Sequence, residues 1–369
     1  MDRVGVWRIA SAVLAHARVV AGGLPVPVDV EEMLTGRAAL LGLAPPGRIS
    51  AGGATRLLPA ADRWCALTLS RADDLATVPA LLEREDADDD PWPAITHWVA
   101  GRPAEEAVAR ARLLGLPAAV LGETPATAPV VRAHTRRAAP RPLRDVLVAD
   151  LSSMWAGPLC GRLLADAGAT VVKVESRTRP DGTRGGAPAF FGWVNTGKLC
   201  YVIDFGAEEL RELLAVADMV IEGSRPAALI RRGLGPDAVP ARDGRVWLRI
   251  TGYGTAGECA ERVAFGDDAA VAGGLVGMSG DGPVFTGDAI ADPLTGLAAA
   301  RAAFDSLRRG GGELIEVSMA AVAATYAALP TGADTEVAAR RPAPSPPAPK
   351  LGAGNAAVRA LVEQRLVTC

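Results

Sequence analysis

Two aspartates four positions apart, Asp288 and Asp292, stand in the segment Gly287-Asp288-Ala289-Ile290-Ala291-Asp292-Pro293-Leu294-Thr295-Gly296. A second acidic pair stands in Phe265-Gly266-Asp267-Asp268. Carboxylates can serve as acid, base or covalent nucleophile when an apolar surround perturbs them. Asp288 with Asp292 suggests acid–base chemistry or a magnesium site. The sequence places no third ligand, so no metal is expected. Asp292 also lies just ahead of an apolar helix pattern, where an aspartate suits an N-cap. The residues alone leave both roles open.

Three polar turns could hold an anion. Asn195-Thr196-Gly197-Lys198 precedes a strand-like run, and a lysine there can meet phosphate as a point charge. Ile221-Glu222-Gly223-Ser224-Arg225-Pro226, with Ile230-Arg231-Arg232-Gly233-Leu234-Gly235 after it, joins exposed N–H groups to guanidinium groups. Thr251-Gly252-Tyr253-Gly254 follows another strand-like run. Each of these is equally an ordinary surface turn when taken singly.

The elements that must position these residues are clearest from Val146 to Arg184. Val146–Val148 is an apolar strand, and Ala156-Gly157-Pro158 opens a helix with Leu159, Leu163 and Leu164 on one face. Gly168 stops that helix, and Thr170–Val174 is the next strand. A β-α-β unit of this kind offers a helix N-terminus to anionic ligands at the carboxyl ends of its strands. Further strands are expected at Cys200–Ile203, Asp218–Ile221, Val246–Ile250 and Glu313–Val317. Helices are expected near Ala207–Ala215, Leu294–Arg308 and Met319–Ala328. The alternation predicts an α/β fold with a mostly parallel, Rossmann-like sheet over residues 142–330.

Residues 1–141 read as a smaller α+β domain ending in a basic linker, with Arg132, His134, Arg136, Arg137, Arg141 and Arg144. A strand at Trp64–Leu69 and helices near Asp74–Leu82 and Glu105–Leu114 are its main elements. The acidic run Glu83–Asp90 and Pro91-Trp92-Pro93 read as a solvated loop. Residues 331–369 read as a proline-rich extended tail closed by a helix near Ala356–Leu366.

The 369 residues are 49% hydrophobic and 22% charged with a formal net charge of −3, so no field draws the chain to nucleic acid or an anionic membrane. No apolar run is long enough to span a bilayer, and Asp2, Arg3, Arg8, His16 and Arg18 interrupt the N-terminal region where a secretory leader would lie. Five scattered cysteines, never spaced as CxxC, argue against a disulfide framework and fit a cytoplasmic protein.

Taken in order, these pieces resemble the CaiB/BaiF family, the class III CoA-transferases. The AGP turn, Asn195–Lys198 with Asp204 beyond it, EGSRP, TGYG, ADPLTG, the strand Glu313–Met319 and the closing Pro349-Lys350-Leu351-Gly352 carry the likeness. The resemblance implies a large Rossmann-like domain, a small domain and an interlocked homodimer. It implies coenzyme A and acyl-CoA as substrates with a carboxylic acid as acceptor, and no permanent cofactor. It makes Asp292 the match for the family's catalytic aspartate. Ala156, Ser176, Lys198, Gly223, Ser224, Arg225 and Arg231 fall at its CoA-contacting positions. The implied chemistry is CoA exchange through an aspartyl covalent intermediate.

Three departures bear on that reading. Ser176 stands where the family has arginine, leaving Arg177 to make the contact one place later. Asp62–Gly122 is similar to the family's small domain but precedes the large one, and the family's glycine-rich shielding loop belongs to the part nearly absent after Pro330. Gly310–Gly312 reads as a plain turn. None of His16, His97 and His134 stands in 264–268, where the family's acyl-CoA racemases carry their histidine. A racemase or isomerase here would use Asp292 with Asp267 or Asp268. A CoA-binding homologue without catalysis is the remaining alternative, and Gly157-Pro-Leu-Cys-Gly161 fits NAD binding poorly.

Overall fold

The computed structural model describes residues 6–86, 89–330, 334–344, 346 and 349–368. Its main sheet has seven strands: β1 (Val130–Ala133), β2 (Leu147–Asp150), β3 (Thr170–Glu175), β4 (Leu199–Val202), β5 (Met219–Glu222), β6 (Val246–Thr251) and β7 (Glu313–Ser318). Their spatial order is β1-β7-β6-β5-β2-β3-β4. Six are parallel, and β1 runs antiparallel along β7.

The chain steps outward from β2 through β3 to β4, then crosses back to β5 on the other side of β2. Strand order therefore reverses between β2 and β5, the switch point whose carboxyl-end crevice is where parallel α/β sheets take ligands. The strands are largely apolar because both faces are covered, with Lys173, Arg249 and Glu316 as buried charged exceptions. Val146 and Val148 join the core on one face, with Leu159, Leu163 and Leu297. Leu147 and Ala149 join the core on the other, with Leu210, Leu213, Leu214 and Val358. That division follows the two-residue period of a strand.

Four helices matter for the site: α1 (Val30–Leu41), α2 (Ala156–Asp166), α3 (Gly266–Ala272) and α4 (Ala291–Arg308). Asp29 caps α1 by accepting the Glu32 N–H at 3.0 Å, and Gly42 ends it in the left-handed conformation. Helices α2 and α4 press together because Gly296 has no side chain. A Cβ there would stand 2.7 Å from the Ala156 carbonyl oxygen.

The expected division at residue 141 is corrected by the packing. Helix α1 and the helix Ser11–Gly22 contribute Val13, Leu14, Met33 and Leu34 to the main core. Residues 55–120 keep a core of their own, built on an antiparallel sheet of Thr55–Pro59, Trp64–Thr68 and Ala118–Val120. The basic stretch is no linker. It supplies β1, and Arg132, Arg137 and Arg141 pair with Glu316, Glu313 and Asp218 of the main sheet. Pro91-Trp92-Pro93 opens the helix Trp92–Ala100, since proline suits a first helical turn. Part of the acidic run before it, Ala87 and Asp88, lies outside the described residues.

The proline-rich stretch forms no helix or strand where it is described, and the helix Asn355–Thr368 follows it. Among the described residues no helix is long and apolar enough to cross a membrane.

Candidate active site

The loop that leaves β2 is fixed from below by buried charge. Asp150, the last residue of β2, pairs with Lys198 at 2.8 Å, and Lys173 pairs with Asp181 at 2.8 Å, all four side chains fully buried. Lys173 also donates to the Ser152 carbonyl, while Asp181 accepts the Met154 N–H at 3.2 Å. Paired in this way, buried charges hold a loop in one arrangement, because breaking any pair strands an ion. Ser152 fits between two glycines. A Cβ on Gly157 or Gly223 would come within 2.2 Å or 3.0 Å of the Ser152 Cβ.

Asp292 lies in the first turn of α4 but does not cap it. Ile290 occupies the capping position, and no side chain closes that end. The Asp292 carboxylate instead lies against the start of α2, where the Ala156 N–H favours its ionised form. Its own N–H donates to the Ala289 carbonyl at 2.8 Å. The turn before α4 holds Ala289 at φ +42°, a conformation costing a non-glycine residue about 1 kcal/mol.

Three further aspartates gather here. Asp267, in the first turn of α3, accepts the Ala289 N–H at 3.1 Å. Asp288 is buried and pairs at 2.5 Å with Arg37 of α1, and its other oxygen has no hydrogen-bond partner. Asp268 accepts the Phe265 N–H at 2.8 Å and is reached by Thr68 at 3.3 Å and Tyr253 at 3.5 Å.

Burial pushes the Asp292 carboxyl up to about 7, with Asp267 and Asp288 adding to it and Arg37 and the Ala156 N–H opposing. Burial and Asp288 push Asp267 up to about 6, and burial raises Asp268 to about 8. Clustered carboxyls of this kind mark sites of proton or acyl chemistry. Asp268 is already spent on capping α3 and tying it to Thr68, which leaves Asp267 and Asp292 as the chemically available pair. Among the described residues no three His, Cys, Asp or Glu side chains converge as a metal-ligand set.

The residues singled out in the sequence fall in three places. Ala156, Gly223 and Ser224 line the crevice at the ends of β2 and β5, with Ser224 Oγ 3.5 Å from Glu222. Ser176 and Arg177 follow β3. Ser176 accepts the Arg179 N–H at 2.9 Å, and Arg177 is exposed. Arg225, 3.8 Å from Glu261, and Arg231 are exposed around the short helix Pro226–Ile230.

Lys198 precedes β4 as expected, and its buried ammonium already donates to Asp150, the Pro158 carbonyl and Asn195 at 2.8, 2.8 and 3.0 Å. Three donors with three acceptors leave no proton for a phosphate. Sequence reasoning missed Arg37. It is 251 positions from Asp288 and stands alone in a helix with no motif around it.

With that geometry in view, the comparison with known proteins is decisive at one level. The family described as CoA-transferase family III matches residues 143–356. The chain belongs to CoA-transferase family III. It is 32% identical over 199 residues to succinyl-CoA–D-citramalate CoA-transferase of Chloroflexus aurantiacus, covering 49% of this chain and 50% of that one. It is 28% identical over 190 residues to human alpha-methylacyl-CoA racemase, covering 48% of each. A solved CAIB/BAIF family protein from Brucella suis aligns with TM-score 0.45 and 30% identity over 51% of this chain and 55% of that one. The chain spans about half the length of the curated relatives it matches. Asp292 and the ends of β2 and β5 lie inside the matched region, whereas Arg37 lies before it.

Proposed function

We propose that this protein moves CoA between an acyl-CoA thioester and a carboxylic acid, with Asp292 as the covalent nucleophile. The observation that carries the reading is the placement of the Asp292 carboxylate. It stands in the first turn of α4 and faces the start of α2, at the end of a parallel α/β sheet that takes ligands.

Attack of an Asp292 oxygen on the thioester carbonyl breaks the C–S bond, giving a mixed anhydride and CoA thiolate. The thiolate adds to the aspartyl carbonyl and expels the donor acid, leaving an aspartyl-CoA thioester. An acceptor carboxylate attacks that thioester, releasing thiolate, which returns to the new acyl carbonyl and frees Asp292. No proton is consumed across the cycle. Burial favours the nucleophile by withholding water from the carboxylate and protects the anhydride from hydrolysis. The Ala156 N–H would stabilise the oxyanion that forms on the aspartyl carbonyl oxygen when the thiolate adds.

Arg225, Arg231 and Arg177 are exposed beside the crevice, as cations serving the phosphates of CoA should be. Gly223 and Ser224 would flank the pantetheine arm, and Ser176 would shape the turn carrying Arg177. An interlocked homodimer in the cytoplasm, with no resident cofactor, accompanies this reading.

A second reading rests on Asp267. It shares the cluster with Asp292, and both carboxyls are raised, the pattern of a two-base site for moving a proton at the carbon next to a thioester. Mass spectrometry after mixing with a panel of acyl-CoAs and trapping with hydroxylamine tests the first reading. An adduct on Asp292, absent in Asp292→Ala, supports transfer. Exchange of the α-proton in deuterated water without an adduct supports the second. CoA binding with neither result identifies a homologue that binds without catalysing.

A further inference from the structure

Helix α1 lies outside the matched family region, yet it delivers the cation that faces the carboxylate cluster. The Arg37 guanidinium is 23% exposed and pairs with Asp288, itself 1% exposed. Its carbon lies 5.5 Å from the ring centres of both Trp155 and Phe190. Those rings pack edge to face with each other at 5.3 Å, and Trp155 immediately precedes Ala156. A guanidinium held by one carboxylate and two aromatic faces has little freedom to leave.

Its surroundings supply the opposite charge in excess. Asp288 comes from the turn before α4, Asp267 from α3 and Asp292 from α4 itself, with the Ala156 N–H from α2 as the neutral donor. One cation therefore faces three carboxyls. Asp288 takes it directly, and the other two share what remains of its field.

We propose that Arg37 is a positioning residue for Asp292: anchored by Asp288, it favours the ionised form of the nucleophile and so helps set the pH at which the site becomes active. This rests on the reading of Asp292 as the nucleophile. The two members of the ion pair act on Asp292 with opposite sign. Removing the cation should make Asp292 harder to ionise. Removing the Asp288 charge should make it easier, because a repelling neighbour is lost and the cation is released toward Asp292. A pair serving only to hold the fold would give no such opposition.

The experiment follows the Asp292 carboxyl carbon by NMR titration of the full chain carrying ¹³C-labelled aspartate, with the signal assigned by its loss in Asp292→Asn. In Arg37→Met the midpoint should rise by about one pH unit or more, as expected for losing an opposite charge at such range. Arg37→Lys should restore most of that shift, and Asp288→Asn should lower the midpoint. An unmoved midpoint in Arg37→Met, or shifts of the same sign in Arg37→Met and Asp288→Asn, overturns the assignment. Should Arg37→Met not fold, Asp288→Asn carries the decision: a lowered midpoint supports the assignment, and an unmoved or raised one overturns it. The hydroxylamine-trapped adduct is measured separately. Titrations as expected with no adduct from any acyl-CoA would overturn the nucleophile reading while leaving the charge coupling between Arg37 and Asp292 standing.

Discussion

The Asp292 carboxylate occupies the space that a side chain on Gly266 would need: a Cβ there would stand 2.4 Å from Oδ2 of Asp292 and 2.4 Å from the Ala289 carbonyl oxygen. Glycine at the first position of α3 is thus a condition of the site. In Gly266→Ala the carboxylate can swing aside, but the backbone carbonyl cannot move without pulling the strained turn at Ala289. Displacing a reacting group by about 1 Å is worth about 100-fold in rate. The expected result is a loss of that order in the rate of Asp292 adduct formation, with far-UV circular dichroism unchanged. A Gly266→Ala protein of full activity would show that Asp292 works from another position.

Lys198 gives a prediction that separates scaffold from ligand contact. Its ammonium is buried with Asp150, so Lys198→Met strands a carboxylate beneath the crevice. Breaking one side of a buried pair costs about 3–5 kcal/mol. Urea titration should show a loss of that size, and Lys198→Met/Asp150→Leu should recover much of it. A lysine that instead contacted phosphate would leave the urea midpoint in place and raise the KM for the acyl-CoA.

The exposed arginines should behave in the opposite way. Arg231→Ala and Arg225→Ala remove surface charge, and neither leaves a buried ion behind. Surface substitutions of this kind usually change stability by less than about 0.5 kcal/mol. The KM for the acyl-CoA should rise several-fold in each, with kcat little altered, and the effect should shrink as salt is raised. Unchanged KM values in both would place the CoA phosphates elsewhere.

The sheet was legible because strands covered on both faces must be largely apolar, and β2, β3, β5, β6 and β7 each have such a run near the expected position. Asp292 was legible because its neighbours carry the family's wording. Other parts had no local signal. The residues of β1 are all exposed, so no apolar pattern marks Val130–Ala133 as an edge strand. The helix Ser11–Gly22 and α1 carry apolar residues that show they pack but not against what. Hence the N-terminal segment was assigned to the small domain although its apolar face belongs to the main core. Lys198 was ambiguous for a related reason. A turn lysine looks the same in sequence whether its ammonium meets a ligand or a buried aspartate.

The C-terminal helix is tied to the sheet edge by one side chain acting as a strand partner. The Asn355 carboxamide accepts the Val202 N–H at 2.9 Å and donates to the Val202 carbonyl at 2.9 Å, so β4 ends satisfied without an eighth strand. Asn355→Ala leaves both groups of Val202 without those partners, at a cost of about 1–3 kcal/mol. Amide hydrogen exchange should show faster exchange at Val202 and through residues 355–368, with β2 unaffected. Equal protection in the variant would mean that the apolar contacts of Val358 and Val362 hold the helix unaided.

The acidic cluster should also leave a mark on stability that rises with pH. Asp292 titrates near 7 in the folded chain against an ordinary 3.8, so between those values the native state binds a proton that the unfolded chain has released. Stability linked to this group is then full below about pH 4 and declines as pH rises through 7, the reverse of a salt-bridged carboxylate. Asparagine mimics the protonated form and carries no charge to lose. Asp292→Asn should therefore match the parent near pH 4. By pH 8 it should exceed the parent by an amount on the order of 4 kcal/mol, several degrees in Tm, while forming no adduct. Calorimetry across that range decides it. A difference in Tm that does not change with pH would mean that Asp292 is ionised in the folded chain as easily as in the unfolded one. The cluster would then impose no strain on its nucleophile. A gain confined to the alkaline side, joined to complete loss of adduct, would show that the fold gives up stability to keep a charged carboxylate where a thioester must meet it.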